Sequence, residues 1–218
     1  MPDNYISRRS VLHGLAGAVF GRIAVTEASG QRSISWTTSG YDGANTNFNS
    51  TTADIRSGVE RNWRFRPNDD SVSSPTLVGT TVFTNSAGGQ VYAVESDSGR
   101  IQTYSIGSDE TLSSSDLPDR IQSRVPSPAV DDSVLYVCNH GGTVASIDYS
   151  QNRRRWSFET DGLIVASPIV VQGTLYIGTL NGTLYAVDAV GGGEEWQYTA
   201  DSAISTTAAI DQTTVYIG

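Results

Sequence analysis

The residues best equipped for chemistry are a few acids and one histidine. Asp109, Glu110, Asp116 and Asp119 fall in one Ser/Asp-rich stretch, Gly107 to Arg124, and His140 stands before Gly141 and Gly142. Clustered carboxylates are what a calcium site would use, because Ca²⁺ takes six to eight oxygens. The stretch lacks the ordered D-x-[DN]-x-[DN]-G spacing of a dedicated calcium loop, which favours acids solvated at a surface. His140 beside two glycines reads as a turn residue rather than a base. Cys138 is the sole cysteine, which excludes an intramolecular disulfide and any multi-cysteine metal site. Its place in an apolar run marks a small buried residue rather than a nucleophile. Arg153, Arg154 and Arg155 could form an anion patch, but a solvated turn beside a strand fits them better. No nucleophile, base and orienting group converge, so no residue is assigned as catalytic.

Composition narrows the partners. The chain of 218 residues carries 14 basic and 23 acidic side chains, a net charge of -9; every basic residue is Arg and none is Lys. Without a basic stripe to displace counterions, nucleic acid is excluded as a ligand. No apolar run reaches the roughly 18 residues of a transmembrane helix. Zero Lys, with 16 Asp among the acids, resembles proteins of extreme halophiles, whose negative surfaces stay hydrated in strong salt.

The elements that must position these residues repeat along the chain. Ser74-Pro75-Thr76-Leu77, Ser127-Pro128-Ala129-Val130 and Ser167-Pro168-Ile169-Val170 each open a unit. A second run follows in each, with aromatic residues Phe83, Tyr136 and Tyr176, then Tyr216 in a fourth unit; the steps are 53, 40 and 40 residues. The longer step holds an insertion of 13 residues within 107–124. Third runs such as Leu184-Tyr185-Ala186-Val187-Asp188 precede fourth runs carrying Trp156 or Trp196. Trp63 keeps the same phase, and Thr103 or Tyr104 stands near the place of the missing tryptophan in the first full unit. Apolar residues alternate over short runs bounded by Gly, Asn, Asp and Pro, which predicts strands. Gly89, Gly142 and Gly182 fall between second and third runs, where a tight hairpin needs positive φ. Four short antiparallel strands in about 40 residues predict a β-propeller blade.

At these residues a family is recognisable. Ala186-Val187-Asp188, the Gly191-Gly192 turn and Trp196 resemble the tryptophan-docking repeat of pyrroloquinoline-quinone (PQQ)-like β-propellers. Ser146, Asp148, Asn152 and Trp156 hold the matching places in the unit before. Trp36 to Thr46 and Trp63-Arg64-Phe65 look like this family's lead-in. The resemblance covers about residues 36 to 218 and implies an all-β propeller with about three and a half blades present. Trp63, Trp156 and Trp196 are then expected to span the gaps between neighbouring sheets. Ala186 and the glycines would leave room for the rings, and Asp148 and Asp188 would bond turn amides.

Ahead of the repeats, Ser7-Arg8-Arg9-Ser10-Val11-Leu12 leads a modest apolar stretch and resembles a twin-arginine export signal. The expected organisation is therefore a signal at 1–28, a lead-in at 29–62 and a partial propeller at 63–218. Its blades are placed at about 63–104, 125–156, 164–196 and 204–218, with the insertion at 107–124. Because the chain stops within a strand pattern at Gly218, it is expected to be truncated or to need further blades or chains to close the ring. Within a blade, the second-to-third hairpin and the link to the next blade open on one face. That face should gather Asp109, Glu110, Asp116, Asp119, His140 and Asn181.

Two functions follow from the resemblance. One is an exported binding or scaffold module for a protein or cell-surface ligand, without catalysis. The other is the N-terminal part of a PQQ-dependent alcohol or sugar dehydrogenase, which would take PQQ and Ca²⁺. The lone Cys138 cannot form the vicinal cysteine pair common over that cofactor.

Overall fold

The computed structural model describes residues 63–67, 71–106, 119–211 and 214–218. Three four-stranded antiparallel meanders follow one another. The first sheet is β1 (Thr76–Val78), β2 (Thr81–Asn85), β3 (Gln90–Glu95) and β4 (Ile101–Ser105). The second is β5 (Ala129–Asp131), β6 (Val134–Cys138), β7 (Thr143–Asp148) and β8 (Arg153–Glu159). The third is β9 (Ile169–Val171), β10 (Thr174–Gly178), β11 (Thr183–Asp188) and β12 (Glu194–Thr199). A hairpin of β13 (Ala209–Asp211) and β14 (Thr214–Tyr216) begins a fourth. These are the blades of an all-β propeller, seen as an arc of successive sheets.

Stacking explains the composition of the strands. Every residue of β6 and β7 is buried, because the second sheet is covered on both faces; such strands read as nearly unbroken runs of Val, Leu, Ile and Ala. One face packs Leu135, Ala145 and Ile147 against Phe83, Val91 and Ala93 of the first sheet. The other packs Tyr136, Cys138 and Val144 against Leu175, Tyr185 and Val187 of the third. Ile169 joins Ala208 and Ile210 to carry the stack into the fourth hairpin. The short first strands β1, β5 and β9 lie side by side. Thr76 Oγ1 donates to Pro128 O at 2.8 Å, and Ser127 N donates to Ser167 Oγ at 2.8 Å, so the Ser-Pro segments pin each blade to the next.

Helical structure was not expected after the signal, yet one turn, α1 (Asp119–Gln122), ends the insertion. A single turn is too short for periodicity to reveal. Pro118 directly before it in the sequence is a residue suited to the first turn of a helix. Arg153, Arg154 and Arg155 also differ from expectation: they begin β8 rather than occupying a turn.

Candidate functional site

Two regions concentrate specific side chains: the loop face, and the seams between blades on the opposite side. The loop face is assembled by one bond repeated three times. Ile106 N donates to Gly89 O at 3.1 Å, Thr160 N to Gly142 O at 3.0 Å, and Ala200 N to Gly182 O at 2.8 Å. Each bond ties the link leaving a fourth strand to the hairpin between the second and third strands of the same blade. The three glycines have φ of 77°, 99° and 88°. At Gly182 a Cβ would also stand 2.8 Å from Ser202 O and 2.9 Å from Ala200 O, so close approach adds to the conformational demand.

His140 lies in the turn of its hairpin and is only 1% exposed. Its Nε2 lies 3.1 Å from the carbonyl of Arg124. A hydrogen bond to that carbonyl requires Nε2 to carry the proton, which leaves Nδ1 a bare, buried acceptor. Burial pushes its pKa down, and the bond to Arg124 O partly offsets this. The end of the insertion is thereby fastened to the second blade. Arg124 then reaches further, its Nη2 donating to Ser205 O at 2.6 Å in the link to the fourth hairpin. Ile121 and Val165 are buried together, with Leu163 and Leu180 half-buried against them. A returning segment bonded at two distant points thus lies on an apolar patch of the loop face.

The remaining acids of that face, Asp109, Glu110 and Asp116, lie outside the described residues, as does the side chain of Asp119. Among the described residues no three His, Cys, Asp or Glu side chains come together, so these residues do not supply a calcium donor set. Cys138 is buried inside β6, and burial pushes its thiol pKa far up. Asn181 Nδ2 donates to Asp161 O at 2.7 Å.

On the other side, the seams carry the tryptophans. Trp156 Nε1 donates to Ala189 O at 3.0 Å, and Tyr136 OH donates to the same carbonyl at 3.2 Å. The indole lies on Gly192, where a Cβ would stand 2.6 Å from a ring carbon. Trp63 repeats the arrangement one blade earlier: its Nε1 donates to Ser96 O at 2.8 Å, and its side chain abuts Gly99. Trp196 faces Tyr176 with ring centroids 5.9 Å apart and is 40% exposed. Ala186 lies opposite Trp196, as Ser146 lies opposite Trp156.

The acids at the strand ends serve their turns. Asp188 accepts from Val190 N and Gly191 N at 3.1 and 3.0 Å. Asp148 accepts from Arg155, Ser150 and Gln151, and the Arg155 bond at 2.7 Å is also an ion pair. Those bonds, Arg155 first, pull its pKa to about 2. Arg154 donates to Ile106 O of the first blade at 3.1 Å. Two of the three consecutive arginines therefore hold structure together rather than offering an open anion patch.

Several solved structures share this arrangement. BamB from Moraxella catarrhalis superposes with a TM-score of 0.60 at 19% identity, covering 73% of this chain and 49% of that one. A europium-containing methanol dehydrogenase gives 0.59 at 19% identity, covering 76% and 32%. The computationally designed protein Ika4 gives 0.56 at 14% identity, covering 70% and 86%. At such identities the likeness is one of fold. The chain spans about half the length of the BamB structure. No curated protein matches its sequence. Residues 97–218, more than half of the chain, match the family described as outer membrane protein assembly factor BamB, and the chain belongs to that PQQ-repeat family.

Proposed function

We propose that this protein is an exported propeller module that binds a protein or cell-surface ligand through its loop face, and that it is not an enzyme. The observation that carries this reading is the segment ending the insertion. It is held at His140 and at Ser205, and it presents Leu163 and Leu180 beside Ile121. A surface fixed by bonds to two blades loses little conformational freedom on binding, which favours recognition. The arginine pair at Arg8-Arg9 and the lysine-free acidic composition support export by the twin-arginine route and life in high salt.

The competing reading is part of a PQQ-dependent dehydrogenase, resting on fold likeness to proteins such as the methanol dehydrogenase. Two measurements separate them. A photo-crosslinker at Leu180 should trap one discrete partner in intact cells, whereas one at the 75%-exposed Val190 should not. Equal trapping at both sites would contradict the loop face as the binding surface. Addition of PQQ and Ca²⁺ should give no saturable cofactor absorption band. A band with dye reduction by alcohols or sugars would establish the dehydrogenase instead.

A further inference from the structure

The seam between the first two blades lacks the indole that fills the next seam. Trp156 stands opposite Ser146, and the matching place on β4, opposite Ala93, holds Gln102. A cavity of about 410 Å³ opens there, walled by Phe83, Ala93, Ile101, Gln102 and Tyr104 of the first blade and Tyr149 of the second. Phe83 holds the place from which Tyr136 faces Trp156, at 6.0 Å between ring centroids. In the first seam the ring facing Phe83 is Tyr149, at 5.0 Å.

The polar partner of the missing indole is also present. Ala189 O accepts from both Trp156 Nε1 and Tyr136 OH. Its counterpart, Tyr149 O, accepts from Tyr104 OH at 3.1 Å. A carbonyl oxygen has two lone pairs, and Ala189 shows that this position takes two donors. Glu95 and Arg100 border the cavity and keep its mouth polar. Cavities with aromatic and aliphatic walls bind small aromatic molecules when the fit is adequate.

We propose that this cavity is a binding site for a small planar aromatic ligand of the indole class, its ring beside Phe83 and Tyr149 and its N–H directed to Tyr149 O. The site is separate from the loop face and independent of what binds there. Its template is the chain's own next seam, where a covalently attached indole occupies the equivalent position.

The test titrates 5-fluoroindole into the full chain, followed by ¹⁹F NMR. The expected result is a saturable shift, reversed by unlabelled indole, with intermolecular NOEs to the Phe83 and Tyr149 ring protons. 1-Methylindole, which has no N–H to donate, should bind several-fold more weakly. A variant combining Gln102→Trp with Asn152→Gly supplies the indole and the glycine that receives it in the other seams. It should weaken 5-fluoroindole binding at least about tenfold. The NOEs need no variant, so the test stands even if that variant fails to fold. No saturable shift up to about 10 mM would overturn the proposal. So would NOEs located elsewhere, equal binding of 1-methylindole, or unchanged binding by the folded double variant.

Discussion

The two seams of the second blade are built on one plan and filled differently. Towards the third blade, Trp156 and Tyr136 share the Ala189 carbonyl, and the indole lies on Gly192. Towards the first blade, Phe83 has no hydroxyl, Gln102 replaces the indole, and Tyr104 alone reaches Tyr149 O. The turn residue changes with the ring. Gly99, Asn152 and Gly192 occupy equivalent places with φ of 69°, 51° and 76°. Glycine stands under Trp63 and Trp156; asparagine, which tolerates positive φ, stands where no tryptophan arrives. Backbone conformation alone therefore does not select glycine here. The ring does, because it needs the space a Cβ would take.

Removing the ring from the filled seam should have the largest effect. Trp156→Ala should lower unfolding free energy by about 3 kcal/mol or more in urea denaturation, through lost burial and one lost hydrogen bond. Tyr104→Phe in the open seam should cost only about 1 kcal/mol. Equal losses would break the comparison.

The turn residues should respond unequally as well. Gly192→Ala forces a Cβ into the Trp156 ring at positive φ and should cost roughly 1–3 kcal/mol. Asn152→Gly should change stability by less than about 1 kcal/mol, since its neighbour seat holds no ring. Gln102→Trp and Asn152→Gly should then be non-additive, the pair exceeding the sum of the singles by about 1 kcal/mol. A double-mutant cycle in denaturant measures this coupling directly.

The smallest effects concern pH. His140 is kept neutral in the fold, its pKa depressed by burial. Below the unfolded value of about 6.5 the unfolded chain takes up a proton that the folded chain resists, so stability should decline as pH falls through that range. His140→Gln should flatten the slope. Asp148 acts lower down. Its stabilisation is complete above the unfolded carboxylate pKa of about 4 and is lost as pH falls towards the folded value, about 2. Thermal melts across pH 2 to about 8 would resolve the two ranges.

Much of the fold was legible because the blade repeats. The Ser-Pro openings, the Leu-Tyr runs and the hairpin glycines mark β1 to β12 almost strand by strand. The open seam was only half legible. Trp156 and Trp196 follow Asp148 and Asp188 by 8 residues, and counting from Glu95 points to Thr103. β8 and β12 each carry a bulge before the tryptophan, whereas β4 pairs regularly, so Gln102 takes that place and Tyr104 shares its face. A bulge is a property of pairing, and no residue type announces its absence. The burial of His140 was hidden for a related reason. Two adjacent glycines read as an open turn, but the carbonyl that covers the ring comes from Arg124 through a long-range contact. On the loop face, the acids Asp109, Glu110 and Asp116 lie outside the described residues, so composition remains the only guide to them.

Native-state hydrogen exchange tests the central contrast most directly. If the first seam is the weaker, amides of β3 such as Val94 should exchange through a partial opening of lower free energy than those of Ile147 in β7 and Val187 in β11. Gln102→Trp with Asn152→Gly should raise β3 towards the others. One common opening free energy for all three strands, or β11 opening first with β3 still protected, would contradict the account.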